Sequence, residues 1–159
     1  KIIYSPIDVF HFGFLKSNIK NQIQGFGVLT KPSDNKNFLG VLFNSRIFEY
    51  VSPKDKELFT VLVGGERQEE LCKLDSKNLQ KIILSELENL IIHSGPIIFK
   101  NHFRWEKGIP QYNLDNEKLI DAIESFEKNN QGFRISGNYF NGVSVSDCIQ
   151  KSKDLVDGL

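Results

Sequence analysis

Apolar and polar positions alternate with a period of two through the first 65 residues. Four stretches carry the pattern: Asp8 to Leu15, Gly25 to Thr30, Phe38 to Asn44 and Leu58 to Val63. Their β-branched and aromatic content predicts strands. "KPSDNKN" and "YVSPKDKE" fall between them, and their prolines and short polar residues predict solvent-facing connections. From Asp75 the period lengthens. Leu79, Ile82, Ile83, Leu87, Leu90 and Ile91 recur on one face of a helix begun by Asp75 or Ser76 and stopped by Gly95-Pro96. A strand in "PIIFKNHFRW" follows. Next comes a helix from Asn116 to Lys128, capped by Asp115, with Leu119, Ile123 and Phe126 inward. "GFRISGN" predicts a short strand ending in glycine. The last helix runs from Val145 to Val156, with Val145, Cys148, Ile149, Ser152, Leu155 and Val156 as its buried stripe. The expected fold class is α+β, a mixed and largely antiparallel sheet with helices packed on it.

Composition narrows the classes of function. The chain has 159 residues with 40% apolar content, enough for one ordinary domain or two partial lobes. Lys plus Arg and Asp plus Glu are 20 each, so no overall field recruits nucleic acid, and no nucleic-acid partner is expected. Cys72 and Cys148 are far apart and no signal-peptide pattern is present, which predicts free thiols in a reducing compartment. The expected location is cytoplasmic, with peripheral contact at the inner membrane face at most. The apolar run "NLIIHSGPIIF" is interrupted and falls well short of the roughly 20 residues of a membrane span. The chain enters "IIYSPIDVFHFGF" directly from Lys1, with neither methionine nor cap, which predicts a start inside something larger.

Little familiar chemistry is present. His11, His93 and His102 stand at no metal-ligand spacing, so no metal is expected, and His11 and His102 read as structural histidines of strands. Cys-x-x-Cys, G-x-S-x-G and Walker patterns are missing from the sequence. Gly25-Phe26-Gly27 begins like a dinucleotide fingerprint, but Thr30 holds the third glycine position and the segment continues as strand. "GNYFNGVSVSDCI", residues 137–149, is the richest stretch. Ser144 and Asp147 have the spacing of a capping box. A helix start with a small residue before it, here Gly142, is also a place where backbone N–H groups receive a phosphate, and Asp147 would compete with that anion. The local chemistry leaves both readings open.

The same stretch closely resembles the C-terminal flavin segment of the protoporphyrinogen oxidases, within the flavin-containing amine oxidase-like superfamily. "RWEKGIPQY", "GFGVLTKPSDNKNFLGVLFNSRIF" and "LFTVLVGG" resemble further segments of these enzymes, in the right order along nearly the whole chain. The resemblance implies noncovalent FAD and oxidation of a porphyrinogen to a porphyrin in haem biosynthesis, with electrons passing to oxygen or another acceptor. It implies flavin contacts from Asn138 and the backbone of Val143, Ser144 and Val145, with Gly137 and Gly142 permitting the approach. Trp105 is implied at the boundary between flavin and substrate lobes, the alternative being a core anchor. Phe26, Leu29, Leu42 and Leu62 are implied as an apolar tetrapyrrole face, the alternative being ordinary strand core. No catalytic side chain is nominated.

The family's G-x-G-x-x-G turn is not found in this sequence. The resemblance therefore implies a C-terminal portion: residues 1–104 as part of a substrate-binding lobe, and 105–159 as the last strand and helix of a Rossmann-like FAD lobe. Such a portion is expected to be inactive alone, to need the N-terminal FAD-binding half as partner, and to self-associate through the final helix and the strand ending at Gly137. Two other readings stay open, a noncatalytic tetrapyrrole-binding or interaction module and another amine-oxidase-like flavoenzyme.

Overall fold

Phenylalanine at every second position decides which way the first strand faces. In the computed structural model, which describes residues 2–21, 24–113, 116–140 and 142–158, strand β1 (Tyr4–Leu15) turns Phe10, Phe12 and Phe14 to one side, all fully buried. Strand β4 (Lys56–Gly64) runs antiparallel beside it, with Phe12 opposite Phe59 and Phe10 opposite Val61. Strand β3 (Gly40–Leu42) pairs with β4, and β2 (Gly27–Leu29) pairs with β3, both antiparallel. Strand β5 (Phe99–Pro110) completes the sheet order β2-β3-β4-β1-β5. A four-residue helix, α1 (Asn44–Ile47), follows β3.

Helix α2 (Ser76–Leu90) supplies the other half of the core. Leu79, Ile83, Leu87 and Ile91 join the phenylalanines, Val41, Val61 and Val63 in one buried cluster, each large side chain contributing about 1.5–3 kcal/mol by leaving water. Phe59 meets Phe14 and Phe43 edge-on at 5.7 and 5.4 Å. Asp75 caps the helix as expected, accepting from the N–H of Lys77 at 3.1 Å and of Asn78 at 3.0 Å. The helix ends earlier than Gly95-Pro96 suggested. Asn21 lies against its last turn, donating to the Leu90 carbonyl at 2.8 Å and accepting from the Ile92 N–H at 2.9 Å, so the end is satisfied by a residue about 70 positions away.

The chain divides into two compact units, Pro6–Glu106 and Lys1–Ser5 with Lys107–Leu159. In the second, helix α3 (Asn116–Asn129) buries Ile123. Phe126, expected inward, is exposed and meets Phe133 edge-on instead. The Asp115 cap lies outside the described residues. "GFRISGN" forms no strand, because no neighbouring strand among the described residues pairs with it; the Ile135 N–H donates to the Glu127 carboxylate at 2.6 Å.

Helix α4 (Val145–Asp157) stands where the periodicity placed it, but its stripe is not buried. Val145, Ile149 and Val156 are 77%, 66% and 65% exposed, Ser152 is exposed, and Cys148 and Leu155 are half-buried. Amphipathic spacing shows which side of a helix is apolar, not that a neighbour covers it. Among the described residues no helix is long and apolar enough to cross a membrane, and no group of His, Cys, Asp or Glu could hold a metal ion.

Candidate functional site

Strand alternation gives the sheet a second face, opposite the core. Val9 and His11 of β1, Leu58, Thr60 and Leu62 of β4, and Leu42 of β3 share it, with Val9 opposite Leu62 and Thr60 opposite both His11 and Leu42. Gly40 stands between Leu62 and Leu29 in the ladder. A Cβ there would fall 2.9 Å from Leu29 Cδ2, so the missing side chain lets Leu29 lie flat across β3. Leu29, Leu42 and Leu62 are thus brought together on one apolar shelf. Leu29 is 82% exposed, and Leu42 and Leu62 are half-buried, so none belongs to the core. Phe26 precedes β2, is also largely exposed, and gives its carbonyl to the Phe43 N–H at 2.8 Å.

His11 sits in the middle of this shelf with its Nδ1 2.8 Å from Thr60 Oγ1. Burial lowers its pKa from 6.5 by penalising the imidazolium. Below pH 6.5 the unfolded chain therefore binds more protons than the fold does. Stability should fall as the pH drops from 6.5 through the folded value. Urea unfolding of the native protein and His11→Gln at about pH 7.5 and about pH 5.5 checks this, the variant being expected to lose less stability between them than the native protein; an equal loss would remove His11 as the source.

The core side of the same sheet holds a polar cluster that the sequence did not reveal. Asp8 is fully buried, and Arg104 Nε lies 3.0 and 3.2 Å from its two carboxylate oxygens. Arg104 Nη2 also donates to the Leu74 carbonyl at 2.8 Å. His102 Nε2 bonds Asp8, its Nδ1 is 2.7 Å from Ser76 Oγ, and its ring stacks on Phe10. These contacts lash β5 and the start of α2 to β1. Neighbouring Cys72 is buried, and burial first, Asp8 second, push its thiol up to about 12. Trp105, on β5, is 58% exposed and anchors no core; it stands two residues before Lys107, where the second unit resumes.

The opening of α4 is built by local chemistry. Ser144 Oγ accepts from the Asp147 N–H at 3.0 Å, and Asp147 Oδ2 accepts from the Ser144 N–H at 3.2 Å, the reciprocal pair of a capping box. These bonds to Ser144, side chain first, hold the Asp147 pKa below its usual value. Gly142 has φ +147°, a conformation other residues adopt only under strain, and donates its N–H to Tyr112 Oη at 3.1 Å. The Tyr112 hydroxyl in turn donates to the Asn138 carbonyl. The four residues Asn138, Gly142, Ser144 and Asp147 are therefore ordered, together with Tyr112, before any ligand arrives. Gly137 and Val143 flank this array; Val143 is about half exposed, and Val145 opens the helix largely exposed.

A helix laid on one face of an antiparallel sheet places the chain in the α+β class. The sequence profile described as flavin containing amine oxidoreductase matches residues 1–155, and the chain belongs to this family. It is 35% identical over 162 aligned positions to protoporphyrinogen oxidase 2, chloroplastic/mitochondrial, of Arabidopsis thaliana, covering 98% of this chain and 32% of that protein. It is 32% identical to the mitochondrial protoporphyrinogen oxidase of Nicotiana tabacum, covering 99% and 32%. The chain thus spans about a third of the length of these relatives. Among solved structures, one from Exiguobacterium sp. 255-15, provisionally assigned as a protoporphyrinogen oxidase, superposes with a TM-score of 0.80 at 16% identity over 99% of this chain and 35% of its own. Reduced UDP-galactopyranose mutase superposes at 0.62, with 16% identity over 87% and 29%. At such identities the two structures show a shared fold.

Proposed function

We propose that this chain is part of an FAD-dependent oxidase of porphyrinogens and supplies the shelf on which the tetrapyrrole lies. The observation that carries this reading is the convergence of Leu29, Leu42 and Leu62 on the sheet face opposite the core, levelled by Gly40. A flat, greasy macrocycle gains from such a surface by displacing water over its whole underside. The similarity to protoporphyrinogen oxidases supports protoporphyrinogen IX as substrate, with protoporphyrin IX as product. In this reading residues 1–104 belong to the substrate lobe and 105–159 to the flavin lobe, with Trp105 near their boundary.

FAD, when bound, accepts hydrogen from the tetrapyrrole. The start of α4 fits one part of it. Asp147 already holds a carboxylate against the helix start, so an incoming diphosphate would be repelled there, whereas a neutral carbonyl or hydroxyl edge would not. Asn138 and the main chain of Val143 and Val145 would hold such an edge, with Gly137 and Gly142 permitting the approach, and Ser144 would take part once its N–H is released from Asp147. The diphosphate then needs a cradle elsewhere, and the bare apolar side of α4, with Val145, Ile149 and Val156, is the side a further part of the flavin domain would cover.

Porphyrin fluorescence tests the shelf directly. Adding the purified protein to protoporphyrin IX should give saturable quenching near one to one, and a lack of saturable binding would overturn the reading. Flavin absorbance at stoichiometric level would support the oxidase. A colourless protein that still binds the porphyrin would favour the second reading, a noncatalytic tetrapyrrole-binding module on the same shelf.

A further inference from the structure

The apolar sheet face does not end at Leu58. Beyond it a cavity of about 370 Å³ opens, lined by Gly13, Pro53, Lys56, Leu58, Ile98 and Phe99 among others. Gly13 makes room for its wall, since a Cβ there would fall 2.8 Å from Phe99 Cβ. By strand alternation Lys56 lies on the same face as Leu58, Thr60 and Leu62, two residues past Leu58. Its backbone is fixed, the N–H donating to the Pro53 carbonyl at 2.9 Å and the carbonyl accepting from Ser52 Oγ at 3.2 Å.

The charge at this end is cationic and largely uncommitted. Lys56 carries no salt bridge among the described residues. Lys16 follows directly on Leu15, the residue opposite Lys56, and bonds the Asp55 carbonyl through its N–H at 2.9 Å, while Lys54 is in the same turn. Against these three ammonium groups stand Asp55 and Glu57. Glu57 also lines the cavity, but it is buried and held by Arg46 Nε at 3.0 Å. The end of the shelf is therefore a cavity with mostly apolar walls, Pro53, Leu58, Ile98 and Phe99, and with Lys56 in its lining.

We infer that Lys56 is a specificity-determining residue, whose ammonium binds a carboxylate of the tetrapyrrole's acid side chains while the stem of that side chain enters the slot between Pro53, Leu58 and Phe99. The inference rests on the reading of the sheet face as a tetrapyrrole shelf. Lys56 is about 14 Å along β4 from Thr60, at the ~3.4 Å rise of an antiparallel strand. A macrocycle centred over Thr60 and Leu62 reaches across that distance with an extended propionate on one side and an extended lysine on the other. Partial exclusion of water by the slot strengthens the pair relative to one on open surface.

Protoporphyrin IX and its dimethyl ester differ only at those side chains, where the ester carries neutral methyl esters, so comparing the pair in the native protein and in a Lys56 variant isolates the contact. The native protein should bind the free acid about tenfold more tightly than the ester in fluorescence titrations with dispersing detergent, and the preference should shrink at high salt. Lys56→Gln should abolish the preference by weakening binding of the free acid about tenfold, and Lys56→Arg should restore most of it. An acid preference that survives in Lys56→Gln overturns the inference alone. Failure of the native protein to bind either compound overturns the shelf reading, and the inference with it.

Discussion

Arg104→Ala should lower the free energy of unfolding by about 3 kcal/mol, measured by urea denaturation at neutral pH. The reason is what the substitution leaves behind. Asp8 is fully buried, and the guanidinium is within 3.2 Å of both its oxygens while also serving the Leu74 carbonyl. Removing it leaves the Asp8 side chain with His102 and the Cys72 thiol but no guanidinium, and a carbonyl short of a donor. Breaking a buried ion pair typically costs about 3–5 kcal/mol, and the low end applies because the Arg104 side chain is 32% exposed. Arg104→Lys should recover only part of the loss, since an ammonium cannot span two carboxylate oxygens and the carbonyl with a planar fork. Asp8→Asn combined with Arg104→Ala should be less damaged than Arg104→Ala alone. A loss below about 1 kcal/mol for the single variant would mean that the cluster does not hold β5 to β1.

Leu62→Asp should weaken protoporphyrin IX binding about a hundredfold and leave the fold intact. The substitution removes one of the three leucines of the shelf and places a carboxylate where the macrocycle would have to desolvate it. Leu62→Ala removes only apolar contact, and about tenfold is expected. The control is one residue away. Val61 is fully buried on the core face, so Val61→Asp should unfold the protein, with loss of near-ultraviolet circular dichroism. Should Leu62→Asp unfold it as well, the sheet face carrying Leu62 is core, and the shelf does not exist. Should it fold and bind the porphyrin unchanged, the tetrapyrrole lies elsewhere.

Much of the candidate site was legible as type and little as arrangement. The motif resemblance singled out Leu29, Leu42 and Leu62, but it could equally describe buried strand residues, because a strand's alternation does not say which of its faces a helix will cover. Ser144 and Asp147 were legible as a cap, since that bond pattern closes within three residues of chain. Tyr112, which orders Gly142 and Asn138 from about 30 positions away, was visible only as part of a motif. Asp8 gave no signal at all. An acidic residue in an apolar run reads as solvent-facing until its partners, 94 and 96 positions further on, are seen to meet it.

By itself the amino-acid sequence determined the elements whose causes are local: the phenylalanine alternation of β1, the Asp75 and Ser144 caps, the apolar side of α2, and the ordered motifs that placed the chain beside the protoporphyrinogen oxidases. Only the tertiary structure decided which apolar surfaces are interior. It covered one sheet face with α2, left Leu42 and Leu62 of the other only half-buried with Lys56 at its end, and left the apolar side of α4 exposed where periodicity foretold a buried stripe. The physical reason is range. A cap or a period is written in bonds between neighbours, whereas burial depends on which distant segment arrives, and hydrophobic attraction carries no address.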